Sequence, residues 1–197
     1  MKFTEFEREK LILLNEAEYG RYSAFFNWVQ IDECSKTAIL RDNILEKIEK
    51  LGARFDFLGS KTDTRNISKG CMLCGEGLWS CLFINGMCNA NCFYCPSRQD
   101  AAVIKPTTNT LEFESPQKYA DYVNFFGFKG VSFSGGEPFI TFDRTLKYLK
   151  ELRKQCSPDI YIWLYTNGSL VNEEQLKMLK DEGLNEIRFD IGAFGYS

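Results

Sequence analysis

Residues 88–96 read Cys-Asn-Ala-Asn-Cys-Phe-Tyr-Cys-Pro, which places the thiols of Cys88, Cys92 and Cys95 within eight residues. A loop with this spacing can wrap three sulfurs around one cuboidal iron–sulfur cluster. An ordinary [4Fe–4S] cluster takes four cysteine ligands, so three cysteines leave one iron open to a ligand from outside the protein. The motif taken alone also allows a zinc site or three thiols that bind no metal.

Short apolar segments alternate with amphipathic helices from residue 78 onward. We predict strands at residues 82–84, 131–134, 160–165 and 186–191. Ser115, before Pro116, and Asn172 are predicted helix N-caps, and the apolar spacing of residues 142–155 predicts a further helix. Strand–helix repeats of this length indicate an α/β fold with a parallel sheet covered by helices.

The chain before this pattern is predicted to be a separate helical region, residues 1–58. An apolar patch within it is expected to lie in a core; its members are Tyr22, Phe25, Phe26, Trp28 and Val29. The polar, glycine-containing stretch at 59–77 is predicted to be a loop that carries Cys71 and Cys74. The third region, 78–197, carries the strand–helix pattern.

Composition excludes several classes of site. The chain of 197 residues has no histidine, so it cannot by itself form a Ser-His-Asp triad, a Cys-His dyad or a histidine-ligated metal site. Its 24 basic and 27 acidic side chains give a net charge of −3, which does not favour nucleic-acid binding. No apolar run has the length of a secretory signal or a membrane span, so we expect a cytoplasmic protein whose eight cysteines are ligands or core residues rather than disulfides.

The cysteine motif and two later motifs resemble those of the radical S-adenosylmethionine (radical SAM) superfamily. The later motifs are Ser134-Gly-Gly-Glu-Pro138 and Thr166-Asn-Gly168, and the resemblance covers about residues 78–191. It implies a (β/α) barrel that is partial, because four strands are predicted where the family has six. The chain would then be a fragment, would be completed by a partner, or would form a short barrel alone.

The resemblance also implies an activity. In the family, three cysteines hold a [4Fe–4S] cluster, and the fourth iron binds the amino and carboxylate groups of SAM. Reductive cleavage of SAM, with electrons from an external flavodoxin-like or ferredoxin-like donor, gives a 5′-deoxyadenosyl radical that abstracts hydrogen from a substrate. The expected protein is thus an oxidoreductase whose substrate the sequence does not identify. The alternative is a non-catalytic scaffold or regulatory half-barrel that binds an iron–sulfur cluster or zinc.

Site residues follow from the same resemblance. The cluster ligands would be Cys88, Cys92 and Cys95, and Tyr94 would lie near the adenine. Glu137 and the backbone of Ser134, Gly135 and Gly136 would hold the methionyl amino group, because glycine lets a ligand approach closely. Thr166 and Asn167 would line the pocket. Arg188 and Asp190 would contact the carboxylate and ribose if their shared strand face points inward; a surface-facing pair is the alternative.

A second pair of cysteines, Cys71 and Cys74, has the spacing of half a metal site. Such a site could hold zinc or a second iron–sulfur cluster, but it needs further ligands. Cys81 is a candidate ligand, although its place on a predicted strand also suits a core thiol, and Cys34 is a second candidate. A redox-active pair and a purely structural role remain open for Cys71 and Cys74.

Overall fold

The structure is a computed structural model that describes residues 4–92, 94–95 and 105–190. The chain divides into two compact units, Met1–Asn66 and Ile67–Ser197. The predicted cluster motif and all the predicted strands fall in the second unit. Within the described ranges, none of the helices has both the length and the apolar character that crossing a bilayer requires.

The first unit contains two helices and a small hairpin. Its elements are α1 (Glu5–Tyr19), a 3₁₀ helix (Gly20–Phe25), α2 (Ile31–Lys50), β1 (Arg54–Asp56) and β2 (Lys61–Asp63). Thr4 caps α1, because its hydroxyl accepts from the backbone N–H of Glu7 while the Glu7 carboxylate accepts from the N–H of Thr4. Neither helix has a buried residue, so this unit owes its helices to caps and local side-chain pairs rather than to a core.

The predicted core patch of this unit is wrong for Phe25 and Val29, whereas Tyr22, Phe26 and Trp28 are partly buried. Phe25 is 84% exposed and Val29 is 50% exposed. Phe25 ends the short 3₁₀ helix, and Val29 lies in the extended segment that follows it, where Arg8 of α1 donates to its carbonyl oxygen at 2.8 Å. Phe26 packs edge-on against Tyr19 and Trp28, with ring centroids 5.3 and 5.5 Å apart, so the aromatic residues contact one another instead.

The second unit is a mixed α/β fold, which confirms the predicted fold class. Its elements are α3 (Lys69–Gly75), β3 (Trp79–Asn85), β4 (Thr107–Thr108), β5 (Leu111–Glu112), α4 (Pro116–Phe126), β6 (Gly130–Gly135), α5 (Phe142–Gln155), β7 (Tyr161–Thr166), α6 (Glu173–Asp181) and β8 (Glu186–Phe189). The strand order is β5-β4-β3-β6-β7-β8. β3, β6, β7 and β8 are parallel, while β4 runs antiparallel to β3 and to β5. The parallel strands and their helices form a partial (β/α) barrel.

The structure differs from the prediction of a loop at 59–77, since this stretch contains β2 of the first unit and α3 of the second. Ser68 caps α3 by accepting from the N–H of Cys71 at 3.2 Å. The predicted caps of α4 and α6 are confirmed. Ser115 accepts from the N–H of Lys118, and Asn172 accepts from the N–H of Gln175. Residue 191, the last of the predicted fourth strand, lies outside the described residues.

The two faces of the parallel sheet differ in chemistry, because successive side chains point to opposite faces. The covered face packs against the helices with fully buried apolar side chains; they include Leu82, Ile84, Val131, Phe133, Ile162 and Leu164. The opposite face, which we call the polar face, carries Cys81, Ser132, Trp163, Tyr165 and Arg188. Helix α3 packs on the polar face, where Gly70 lies against the ring of Trp163 and Leu73 lies next to Gly130 of β6.

Candidate active site

The turns that follow β3, β6 and β7 come together at one edge of the sheet. Cys88 and Asn89 follow β3, Glu137 follows β6, and Asn167 follows β7. The C-terminal ends of parallel strands meet at the same edge, which is where open α/β sheets bind ligands. We call this group of turns, residues 85–89, 135–141 and 166–169, the strand-end site.

The Glu137 carboxylate lies at the centre of the strand-end site and is 1% exposed. Its Oε1 accepts from the N–H of Phe139 at 3.1 Å and from the hydroxyl of Thr166 at 2.8 Å. Its Oε2 accepts from the N–H of Asn167 at 2.9 Å. The carboxylate therefore ties the turn after β6 to the turn after β7. Sequence analysis missed this link, and binding of an amino group by Glu137 stays a prediction.

The two glycines before Glu137 allow the chain to approach itself. Gly135 has a φ of +109°, a conformation that favours glycine. The N–H of Gly136 donates to the carbonyl oxygen of Asn85 at 2.9 Å, and a Cβ at Gly136 would collide with the carbonyl oxygen of Met87. The glycines are thus required by contact with the loop after β3, and the predicted role of Ser134, Gly135 and Gly136 toward a ligand is untested.

A buried asparagine that sequence analysis missed joins the first two turns. The side-chain amide of Asn85 donates to the carbonyl oxygen of Glu137 at 3.1 Å and to the hydroxyl of Thr141 at 2.6 Å. Its Oδ1 accepts from the N–H of Met87 at 3.0 Å. Asn85 is fully buried, and the only signal in the sequence was a polar residue at the end of an apolar strand.

The Thr-Asn-Gly turn brings β7 next to the cysteine motif. Thr166 is buried, and its hydroxyl accepts from the N–H of Gly168 at 3.0 Å. The amide nitrogen of Asn167 donates to Oδ1 of Asn89 at 2.9 Å and lies 4.0 Å from Sγ of Cys88. The structure therefore brings together four of the predicted site residues, Cys88, Glu137, Thr166 and Asn167.

The cysteine motif continues from this contact point. The N–H of Ala90 donates to Sγ of Cys88 at 3.4 Å, and the N–H of Cys95 donates to the carbonyl oxygen of Cys92 at 3.1 Å. Tyr94 is 43% exposed. A hydrogen bond with Cys92 raises the pKa of Tyr94, as do burial and the nearby negative charges of Cys92, Asp190 and Cys95. Tyr94, which is predicted to lie near the adenine of the cofactor, thus contacts Cys92 of the motif.

The donor set of the motif suits iron and sulfide. Three thiolates without an imidazole among them are soft ligands of the kind that iron–sulfur clusters take, so Cys88, Cys92 and Cys95 fit a [4Fe–4S] cluster with three protein ligands. Among the described residues, no three cysteine, aspartate or glutamate side chains converge around a single metal ion.

Arg188 lies on the polar face, and its guanidinium group points toward α3, which packs on that face. It donates to Glu186 at 2.6 Å, to the hydroxyl of Tyr165 at 2.7 Å and to the hydroxyl of Ser68 at 2.7 Å. It also lies 5.2 Å from the ring centres of Trp163 and Tyr165. Burial opposes its charge, but the hydrogen bond with Glu186 and the surrounding negative groups leave the pKa of Arg188 raised.

Asp190 follows β8, is exposed, and its N–H donates to the carbonyl oxygen of Thr166 at 2.8 Å. Contact of Arg188 or Asp190 with a cofactor stays a prediction.

The second cysteine pair lies on α3, with both thiols partly buried. Cys81 lies on β3, and burial raises the pKa of its thiol. A second metal site at Cys71 and Cys74, with zinc or another cluster, stays a prediction.

Comparison with known proteins decides the family. The profile of the radical SAM superfamily matches residues 82–195. The chain belongs to the radical SAM superfamily. It is 36% identical over 148 residues to a Methanocaldococcus jannaschii protein named as a candidate glycyl-radical enzyme activating enzyme, covering 73% of this chain and 36% of that protein. It is also 31% identical over 104 residues to the GTP 3′,8-cyclase of Aliarcobacter butzleri, covering 53% of this chain and 31% of the cyclase.

A solved structure of selenomethionine BtrN in an open conformation also resembles the chain. The TM-score is 0.44 and the sequence identity is 22%, over 56% of this chain and 49% of BtrN. The chain spans about a third of the length of the two curated relatives. Membership of the radical SAM superfamily implies a [4Fe–4S] cluster and SAM, which are the cofactors of that family.

Proposed function

We propose that this chain carries the cluster-binding and SAM-binding core of a radical SAM enzyme that abstracts hydrogen from its substrate. One observation carries the proposal: the cysteine motif, the Gly-Gly-Glu-Pro turn and the Thr-Asn-Gly turn are hydrogen-bonded to one another at the ends of adjacent parallel strands. Three motifs that lie far apart in the sequence therefore meet at the edge where such sheets bind ligands.

The chain's own residues would hold and orient the cofactors. Cys88, Cys92 and Cys95 would bind three irons of the cluster, and the turn after β6 would offer backbone groups to the amino group of SAM. Glu137 acts in this site by fixing that turn against the turn after β7. A bound cluster would supply one electron to the sulfonium of SAM. The products would be methionine and a 5′-deoxyadenosyl radical, which can take a hydrogen atom from a substrate.

Anaerobic reconstitution with iron and sulfide tests the proposal. We expect about four iron atoms per chain at this site, and 5′-deoxyadenosine should form from SAM after reduction. Cys88→Ala should lose the cluster and the cleavage activity, whereas Cys34→Ala, which removes an exposed thiol of the first unit, should keep both. A folded, fully loaded protein that does not cleave SAM would contradict the proposal.

The same reconstituted protein distinguishes the radical SAM enzyme from the non-catalytic alternative. A scaffold would load the cluster without binding SAM, and a zinc-binding module would contain zinc without acid-labile sulfide. Binding of a flavodoxin-like or ferredoxin-like donor, which we also propose, would be tested by replacing the chemical reductant with that protein and measuring 5′-deoxyadenosine.

For the substrate, we propose a glycine residue of a partner protein. The support is the name of the M. jannaschii relative, which at 36% identity is more similar to this chain than the cyclase is. A partner with deuterated glycine should transfer one deuterium to 5′-deoxyadenosine and leave a radical on the glycine Cα. Deuterium-free 5′-deoxyadenosine in every such assay would exclude this substrate class.

A further inference from the structure

The side chain of Asn167 is held in one orientation by Ser169. Oδ1 of Asn167 accepts from the N–H of Ser169 at 2.9 Å and from its hydroxyl at 2.6 Å. Because the backbone N–H of Ser169 can only donate, it needs the oxygen of the Asn167 amide as its acceptor, so the NH₂ group must lie on the other side. That side faces the loop of the cysteine motif.

Asn167 and Ser169 each form a hydrogen bond with this loop. Asn167 donates to Oδ1 of Asn89, which is 78 residues away in the sequence, at 2.9 Å. Asn89 in turn donates to the hydroxyl of Ser169 at 2.7 Å. The three side chains close a ring of hydrogen bonds between the turn after β7 and the residue next to Cys88. This ring fixes where Cys88 lies along the strand-end site.

Two N–H groups point at the sulfur of Cys88. The backbone N–H of Ala90 is 3.4 Å away, and the amide nitrogen of Asn167 is 4.0 Å away. Hydrogen bonds to the sulfurs of an iron–sulfur cluster are among the factors that set its reduction potential. They favour the reduced state, because a donor interacts more strongly with the more negative form.

The backbone of the turn that carries Asn167 is also held by hydrogen bonds. The N–H of Asn167 donates to the buried Glu137 carboxylate at 2.9 Å, and the N–H of Gly168 donates to the Thr166 hydroxyl at 3.0 Å. A fixed backbone on one side and Ser169 on the other leave the amide little freedom to turn away from Cys88.

We propose that Asn167 is a positioning residue that holds Cys88 in place and raises the reduction potential of the cluster bound there. This inference rests on the proposed function, since it requires a cluster at Cys88, Cys92 and Cys95. Asn167 acts through the protein ligand and does not itself touch the substrate.

The test is an anaerobic redox titration of the cluster, followed by electron paramagnetic resonance, on the full chain and three variants. Asn167→Ala removes the donor and should change the ratio of reduced to oxidised cluster by about tenfold toward the oxidised form, a shift of about 59 mV to lower potential for one electron. Ser169→Ala should shift it in the same direction by less. Asn124→Ala, which removes a side-chain hydrogen bond to Gln155 between α4 and α5, should leave the potential unchanged.

A second substitution at the same position keeps the test possible if Asn167→Ala does not fold. Asn167→Asp keeps the side-chain shape and the two bonds from Ser169, but it presents an oxygen to Asn89 and Cys88, so the potential should fall further. An unchanged potential in loaded Asn167→Ala or Asn167→Asp protein would overturn the inference, even if SAM cleavage were lost. A wild-type chain that assembles no cluster or does not cleave SAM would instead overturn the proposed function.

Discussion

At the strand-end site, the Glu137 carboxylate accepts hydrogen bonds from turns that follow two different strands. Near α3 on the polar face, the Arg188 guanidinium donates to Ser68, Tyr165 and Glu186. We call the second group, with Gly70 and Trp163, the α3 cluster. Both groups are polar and largely withdrawn from water, yet the first joins the three turns of the strand-end site, whereas the second joins helix α3 to the sheet.

This difference between the strand-end site and the α3 cluster predicts which substitutions should affect cofactor binding. Disturbing the strand-end site moves the loop that carries Cys88, so folding and cofactor binding should fail together. Disturbing the α3 cluster should lower stability and leave the cofactor affinities of the remaining folded protein close to those of the wild type. Each prediction below either strengthens this distinction or breaks it.

The largest effect is expected from Glu137→Ala. The substitution leaves three donors without this acceptor: the buried N–H of Phe139, the buried hydroxyl of Thr166 and the partly buried N–H of Asn167. We expect a loss of about 4 kcal/mol in the free energy of unfolding, because each bond to a charged group and each unsatisfied donor costs 1–3 kcal/mol. Urea unfolding of the apo chain gives this value, and Glu76→Ala, at an exposed position, is the control expected to stay within about 0.5 kcal/mol.

A normal stability for Glu137→Ala would mean that the carboxylate does not brace the turns. If stability were normal and SAM binding were lost, Glu137 would act on the ligand directly, as the resemblance to the radical SAM superfamily implies.

A smaller loss is expected from Arg188→Met. Methionine keeps the length and apolar surface of the side chain but removes three hydrogen bonds and leaves Glu186, whose side chain is 19% exposed, without its cation. Breaking such a pair should cost about 3 kcal/mol. Isothermal titration of the reconstituted protein with SAM should give an unchanged affinity. An affinity loss in fully folded protein would assign Arg188 to the cofactor pocket and end the distinction between the two groups.

The sequence was informative where a feature is local. Helix caps at Ser115 and Asn172 and the cysteine spacing depend on neighbouring residues, and the alternation of apolar strands and helices was enough to indicate the parallel sheet. Membership of the superfamily could also be inferred, because three motifs appear in the family's order.

Other features depend on contacts between distant segments and could not be predicted. Asn85 and Glu137 are 52 residues apart, and Arg188 and Ser68 are 120 apart, so no local pattern marks either pair. The exposure of Phe25 could not be predicted either, because hydrophobicity alone does not show whether another element covers a side chain.

The smallest effects are expected from two glycines, one in each group. At Gly136 a Cβ would strike the backbone carbonyl of Met87, which cannot move without displacing the cysteine loop. At Gly70 a Cβ would lie 2.6 Å from the flexible end of Arg188, and alanine also favours the helix more than glycine does. We expect Gly136→Ala to cost about 2 kcal/mol and Gly70→Ala to cost less than about 1 kcal/mol, in the range for added methyl groups.

Cluster content after reconstitution, measured on the same two variants, gives the sharper comparison. Gly136→Ala should load less iron than the wild type at equal folded protein, because its collision lies one residue from Cys88, and Gly70→Ala should load the same amount. Equal loading by both variants would show that the cysteine loop adjusts independently of the turn after β6, and the strand-end site could then no longer be treated as one mechanical unit.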